Sequence, residues 1–301
     1  MLFRSLALAQ LAEQDPLIDV RQDDIRQELS VSLYGEVQKE VIGATLAAEF
    51  GLAVEFRETT TICIERPAAT GAAHEILRTA PNPFLATVGL RIEPGAVGSG
   101  VEFRLEVELG SMPLAFFRAV EDTLRSTLRE GLNGWQVTDC VVTMTHSGYL
   151  PRQSHAHQGF AKSMSSTGAD FRGLTPLVVM DALKEAGTVV YEPIHGFHLE
   201  APVDVLGQLL PALARLHAVP QEPRARGLLC TLEGGIPAAR VHELRQQLPG
   251  LTRGEGVLEC AFDRYEPVVG PAPTRRRTDD NPLNREEYLL RVAGRVAAPI
   301  G

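Results

Sequence analysis

The sequence predicts an α+β chain in which two split βαβ domains flank an elongated, mixed α/β domain. Three observations carry that prediction. A β-β-α-β order within the first 57 residues returns in complete form after residue 193. Between the two, residues 60–109 run mostly at period two, the pattern of half-buried strands. A segment without apolar periodicity, 147–173, is longer than the roughly 12 to 15 residues of ordinary connections, which marks it as functional or disordered. The expected limits are 1–57, 58–192 with its tip loop 147–173, 193–268, and a linker with a helix over 269–301.

The opening "LFRSLALAQLAEQDP" has Leu2, Leu6 and Ala9 at helical spacing and stops at Asp15-Pro16. Strands are expected over 18–21 and 28–33, then a helix with Val37, Val41, Ala44, Leu46 and Phe50 on one face and Gly51 as its stop. "LAVEFRE" alternates as the next strand. This first domain lacks an opening strand, so the chain is expected to begin partway through a domain of a longer parent.

In the middle domain, "TTICIER", "FLATVGLRIEP" and "VEFRLEVELG" read as strands, with Val101, Phe103, Leu105, Val107 and Leu109 on one face of the last. The glycine-rich "GAVGSG" reads as a hairpin turn, because no helix opens after it as a dinucleotide fingerprint requires. Phe116, Val120, Leu124 and Leu128 repeat at every fourth residue, with Pro113 before them and Gly131 after, which predicts an amphipathic helix. "QVTDCVVTMTH" is a strand entering the long segment. Thr175 and Pro176 mark the start of a helix that Gly187 ends.

The remainder reads as strand ("IHGFHLEAP"), helix ("VDVLGQLLPALARLHA"), the end of a hairpin ("RGLLCTLEGGIP"), helix ("AARVHELRQQLPG") and strand ("EGVLECAFDRYEPV"). Pro211 removes a helical hydrogen bond, so a kink or a late start is expected there. The tail is a Pro-rich, charged linker and a short helix with Tyr288, Leu289 and Val292 on one side, expected as an appendage.

Composition narrows the function. A net charge of −9 over 301 residues argues against coating nucleic acid along the whole surface, and the acids are dense before residue 57. No apolar run reaches the ~18 to 20 residues of a membrane span, and no signal peptide is legible, so a cytoplasmic chain with neither membrane nor DNA as partner is expected. Cys63, Cys140, Cys230 and Cys260 are widely spaced, which fits buried thiols rather than a zinc site. No G-x-x-x-x-G-K-[ST] loop is present for a nucleotide, and no nucleophile elbow for hydrolysis. His155 and His157 lack an acidic or Cys partner at ligand spacing, so a metal-dependent enzyme is a distant alternative and no catalytic or metal residue is assigned.

Within 147–173, Arg152, Lys162 and Arg172 stand against Asp170 alone. Tyr149 offers a face for an unpaired base, the cations meet phosphates, and Ser163, Ser165 and Ser166 can donate to phosphate or sugar oxygens. The alternative is a solvated insertion.

Several motifs, in order along nearly the whole chain, resemble the tetracycline-resistance ribosomal protection proteins, GTPases of the elongation factor G type, and above all their actinomycete oxytetracycline-resistance members. They are "LAEQDP", "LYGEVQKEVI", "ERP", "NPF", "GSGVEF", "SSTGADFRGLTPLV", "EPIHGFHLEAP" and "LTRGEGVLE". The resemblance implies that 1–57 corresponds to a ferredoxin-like third domain, 58–192 to the fourth and 193–268 to a ferredoxin-like fifth. It implies a monomer that binds the 70S ribosome, with the fourth-domain tip at the decoding centre of 16S rRNA, where the family displaces tetracycline. The family's Tyr-Ser-Pro tip matches Tyr149, Leu150 and Pro151, with Leu150 in place of the serine. Arg152 completes the expected tip, and His155, His157, Lys162, Ser165, Ser166 and Arg172, with Arg275, Arg276 and Arg277 from the tail, are the expected RNA contacts. The family's GTPase domain has no counterpart in these residues, so GTP and Mg belong to the full-length parent and no cofactor or catalysis is expected here. An elongation factor G paralogue acting in translocation, without a resistance role, is the nearest alternative.

Overall fold

A computed structural model describes residues 19–23, 28–32, 36–52, 54, 61–151 and 165–297. The chain divides into two compact units, 1–60 and 61–301. The expected first helix and the strand over 52–58 lie largely outside the described residues.

In the first unit β1 (Asp19–Asp23) pairs antiparallel with β2 (Glu28–Ser32), Arg21 opposite Ser30, and α1 (Glu36–Phe50) follows. Gly51, at φ 63°, takes the left-handed turn that ends the helix, and the Leu52 amide returns to the Leu46 carbonyl at 2.9 Å. The buried face is rotated from the expected one: Ile42 and Leu46 are 4% and 2% exposed, whereas Val41 is 57% exposed. Ile42, Leu46 and Phe50 are also spaced by four, so periodicity alone admits either stripe.

The second unit opens with β3 (Ile64–Pro67), β4 (Gly71–Glu75), β5 (Ala86–Pro94) and β6 (Val101–Leu105). Next come α2 (Leu114–Thr127), β7 (Gln136–Val137), β8 (Cys140–Tyr149) and α3 (Gly168–Ala186). Four strands form one sheet in the order β4-β5-β8-β6. β5 and β6 are therefore not a hairpin: β8 lies between them, antiparallel to β5 and parallel to β6. The glycine-rich loop 95–100 bridges the start of β8, with the Gly95 amide on the Asp139 carbonyl at 2.7 Å and the Gly100 amide on its carboxylate at 3.1 Å. Alternation identifies a strand's buried face and is silent on which strand lies beside it. β6 also ends at Leu105, short of Val107 and the exposed Leu109.

One face of this sheet is packed by α2 and α3. Val88, Leu90 and Ile92 of β5, Val142 and Met144 of β8, Val120 and Leu124 of α2, and Phe171, Leu174 and Leu183 of α3 are all fully buried. Each such aliphatic or aromatic side chain contributes about 1.5 to 3 kcal/mol. Gly71 lets α3 approach β4: a Cβ there would stand 2.3 Å from the Ala182 carbonyl oxygen.

β9 (Thr188–Pro202) leads through a 3-10 turn, Val203–Val205, into α4 (Leu206–Arg215), where Pro211 lies inside the helix rather than in its first turn. β10 (Val219–Pro220), β11 (Arg224–Arg226), β12 (Leu229–Pro237), α5 (Ala238–Thr252) and β13 (Val257–Pro267) complete this part. β12 and β13 flank β9, all antiparallel, with β10 and β11 beyond β12. The first residues of β9 also pair with β3, Glu65 opposite Val190, so one strand runs unbroken across the domain limit that the sequence predicts at 192. Phe197, Leu199, Leu209, Leu213, Leu232 and Leu244 form this part's core.

The tail is packed, not an appendage. The Trp135 indole donates to the Pro273 carbonyl at 2.6 Å, the Thr278 amide donates to Glu130 at 2.8 Å, and Arg285 forms two bonds to Glu75. In α6 (Arg285–Ala297), Tyr288 is 5% exposed and its hydroxyl donates to the Gly173 carbonyl at 2.9 Å. Among the described residues no helix is long and apolar enough to cross a membrane.

Candidate nucleic-acid interface

The long segment is shorter than its sequence suggests, because ordered elements consume both ends. β8 runs on through Ser147 and Gly148 to Tyr149. α3 begins at Gly168, seven residues before Thr175. Its start is held by a capping arrangement: the Thr167 amide and hydroxyl both donate to one Asp170 carboxylate oxygen, at 2.8 and 2.7 Å. The pattern Thr-x-x-Asp is a helix-start signal that the proline downstream obscured. Pro176 lies inside α3, where its missing N–H leaves one carbonyl without the usual helical donor, and Thr175 returns its hydroxyl to the Phe171 carbonyl at 2.7 Å.

Between these ends the chain leaves and returns through a narrow neck. The Leu150 amide donates to the Ser166 hydroxyl at 2.7 Å, and the Ser166 amide donates to the Leu150 carbonyl at 3.0 Å. The same hydroxyl donates to the Leu85 carbonyl, while the Leu85 amide reaches the second Asp170 oxygen at 3.2 Å. Asn82 orders this third strand of the neck, accepting from the Phe84 amide at 2.8 Å and donating to the Ala86 carbonyl at 2.8 Å. The "NPF" motif is therefore a brace for the loop's root.

Tyr149 sits at the root as well. Its ring meets Phe116 edge-on, centroids 5.8 Å apart, and Phe116 stacks on the buried Phe171 at 4.6 Å. The tyrosine is half-buried, not a free tip, and its packing orients the strand end from which the loop departs. Leu150 is half-buried, Pro151 is exposed, and Arg172 is exposed on the first turns of α3.

The other expected contacts divide sharply. Arg152, His155, His157 and Lys162 lie outside the described residues. Ser165 is 5% exposed, and Ser166 engages its hydroxyl in the neck, so neither side chain stands free at the surface. Arg277 is a correction: its side chain is 10% exposed, donating to the Gly131 carbonyl at 2.6 Å and paired with Asp279. Arg275 sets its guanidinium 5.6 Å from the centre of the Trp135 ring, with its amide on the Asn133 carbonyl at 2.8 Å. Arg276 is exposed. A run of three arginines announces charge, but two of these three bind the fold through partners remote in sequence. Among the described residues, no group of three or more His, Cys, Asp or Glu side chains is arranged to hold a metal ion.

The loop 131–135 that receives the tail is fixed by Glu65, a buried carboxylate on β3. It accepts from the Asn133 amide at 2.9 Å, the Trp135 amide at 3.0 Å and the Thr188 hydroxyl at 2.6 Å. Beside it Arg66 pairs with the buried Asp139 at 2.7 Å and lies 4.4 Å from the centre of the Tyr191 ring. The "ERP" motif thus joins β3, β9 and the start of β8. Its role is to hold the base of the domain that carries the neck.

Comparison with known proteins gives this arrangement a context. Residues 53–187 match the family described as elongation factor G, domain IV, and residues 189–276 match elongation factor G C-terminus, both non-catalytic domains. The chain is 46% identical over 295 residues to an oxytetracycline resistance protein of Streptomyces rimosus, covering 96% of this chain and 43% of that protein. It is 37% identical over 290 residues to the tetracycline resistance protein TetP of Clostridium perfringens, covering 96% and 42%, and 45% identical over 252 residues to TetM of Streptomyces lividans, covering 83% and 37%. The chain thus spans about two fifths of the length of these relatives. A crystal structure of a Thermus thermophilus protein superposes with a TM-score of 0.66 at 22% identity, over 96% of this chain and 40% of that one, a likeness of fold alone.

Proposed function

The chain belongs to the tetracycline ribosomal protection protein family, of which it holds the domains of the elongation factor G domain IV and C-terminal types, and on that premise we propose that it is a ribosome-binding arm. In this reading the fourth-domain loop enters the decoding centre, meets 16S rRNA and displaces tetracycline, in the cytoplasm and as a monomer. The observation that supports it best is the neck at Leu150 and Ser166, which fixes the root of a basic loop to the end of a packed strand. The two residues of the root, already fixed, lose no further conformational freedom when the loop between them binds. The antiparallel order β13-β9-β12-β10 supports a ferredoxin-like fifth domain, with 1–57 as its counterpart.

Leu150, in place of the family's serine, is compatible with this role. Both neck bonds use its main chain, so the loop keeps its root whatever side chain stands there. No step of nucleotide chemistry is assigned to these residues.

Co-sedimentation with 70S ribosomes over a salt series tests the reading. Replacing Arg152, Lys162 and Arg172 together with Ala is expected to weaken binding and to flatten the salt dependence by about 2 to 3 in log–log slope, one phosphate contact per cation. Unchanged affinity and slope would reject the loop as the RNA contact. Loss of tetracycline displacement in the same variant separates protection from mere attachment.

A further inference from the structure

On the solvent side of the four-stranded sheet, His74 of β4 and His146 of β8 stack face to face, ring centroids 4.6 Å apart and planes 12° from parallel. They do not sit on neighbouring strands. β5 lies between, with Gly89 opposite both His74 and His146. The rings meet above the middle strand because that position carries no side chain: a Cβ on Gly89 would stand 2.5 Å from His146 Nδ1. Gly89 is buried beneath the pair while both histidines are exposed. The Thr145 hydroxyl lies 2.9 Å from His146 Nδ1 and restrains that ring.

The rest of this face is a lattice of ion pairs. Arg91 bridges Glu93 and Glu106, and Arg104 pairs with Glu102. Two arginines against three carboxylates leave this lattice slightly acidic, but none of its ion pairs includes the histidines, which remain an uncommitted aromatic surface with His146 three residues before Tyr149 on β8. A metal site fits poorly, because near-parallel rings direct their nitrogen lone pairs alongside one another, whereas an ion at ~2.0 to 2.1 Å from each needs them to converge.

We propose that the His74–His146 stack is a nucleobase platform, a second RNA contact beside the tip loop that rests on the ribosome-arm reading. β4 is the edge of its sheet, so among the described residues no further strand stands beyond His74. An unpaired base adds to the outer imidazole as the next member of the stack. Thr145 restrains His146 and the stack sets His74 against it, so the base meets a prepared face. Sequence specificity is low, since every base has a π face, and purines bind best through their larger overlap.

Fluorescence anisotropy of the full chain with labelled oligoadenylate, and with an abasic oligomer of equal length and charge, tests this. Wild-type protein is expected to prefer oligoadenylate. His74→Ala lowers that affinity by about 5- to 150-fold, the usual worth of one stacked base. His74→Phe retains the preference, because the flat face remains. Equal affinity of wild-type protein for the two oligomers, or no loss in His74→Ala, overturns the proposal. The 70S assay separates it from its premise: if the Arg152, Lys162 and Arg172 replacements weaken ribosome binding while His74→Ala leaves oligoadenylate binding intact, the platform alone fails. If neither set of changes has an effect, both readings fail.

Discussion

Leu150 and Ser166 exchange two hydrogen bonds, amide to hydroxyl at 2.7 Å and amide to carbonyl at 3.0 Å, and so close the root of the loop between them. Ser166→Ala removes the hydroxyl that the Leu150 amide and the Leu85 carbonyl share. The expected cost is about 1 to 3 kcal/mol of stability, read from the urea midpoint. Affinity for 70S ribosomes should fall with it, because the root of the loop must then be fixed on binding. An unchanged midpoint would show that solvent replaces the hydroxyl without loss.

Glu65→Ala withdraws the acceptor from two main-chain amides and a hydroxyl at a fully buried position. A loss of about 3 kcal/mol or more is expected. Trp135, the chain's single tryptophan and 2% exposed, reports the event directly: its emission should shift to the red as the loop around it opens. Native-like emission in this variant would contradict the role given to Glu65.

Gly71→Ala forces a methyl group against the α3 backbone, which cannot move as a side chain can. About 1 to 3 kcal/mol of overpacking is expected. Gly110→Ala is the matched control, since a Cβ there meets nothing within 4 Å. Thermal denaturation should separate the two, and equal midpoints would rule out the close approach of β4 and α3.

Burial pushes the Cys140 thiol up to about 12 and that of Cys63 to about 11, from 9.0, with Asp139 and Glu192 respectively adding to the effect. Neither should react with alkylating reagents at pH 8 until the protein unfolds, because the thiolate is the nucleophile. The sign for stability follows from linkage. As pH rises past 9 the unfolded chain loses thiol protons that the folded chain retains, so stability falls between pH 9 and about 12. The denaturation midpoint should drop over that window, and Cys140→Ala should flatten the drop.

Much of the fold was legible because it is written locally. Phe116, Val120, Leu124 and Leu128 announce α2, Gly51 and Gly187 end their helices, and alternation marks β5. What failed was pairing. Nothing near "GAVGSG" says that β8, some forty residues on, inserts between the strands it connects. The candidate site shows the same limit. The basic loop stands out by composition, but Ser166 finds its acceptor on Leu85, and Arg277 its acceptor on Gly131, through contacts that no spacing rule contains. The histidine platform is hidden for the same reason, since His74 and His146 become neighbours only through a glycine on the strand between them.

The unbroken run of β9, laddered to β3 at one end and to β12 and β13 along the other, has a mechanical consequence. A push delivered at either end travels along one extended backbone that is paired along its length, with β3 at its start, β13 from Tyr191 and β12 from Ile194. A displacement of one half is therefore passed to the other through the β9–β13 ladder, among the described residues the one pairing that continues across residues 192–193.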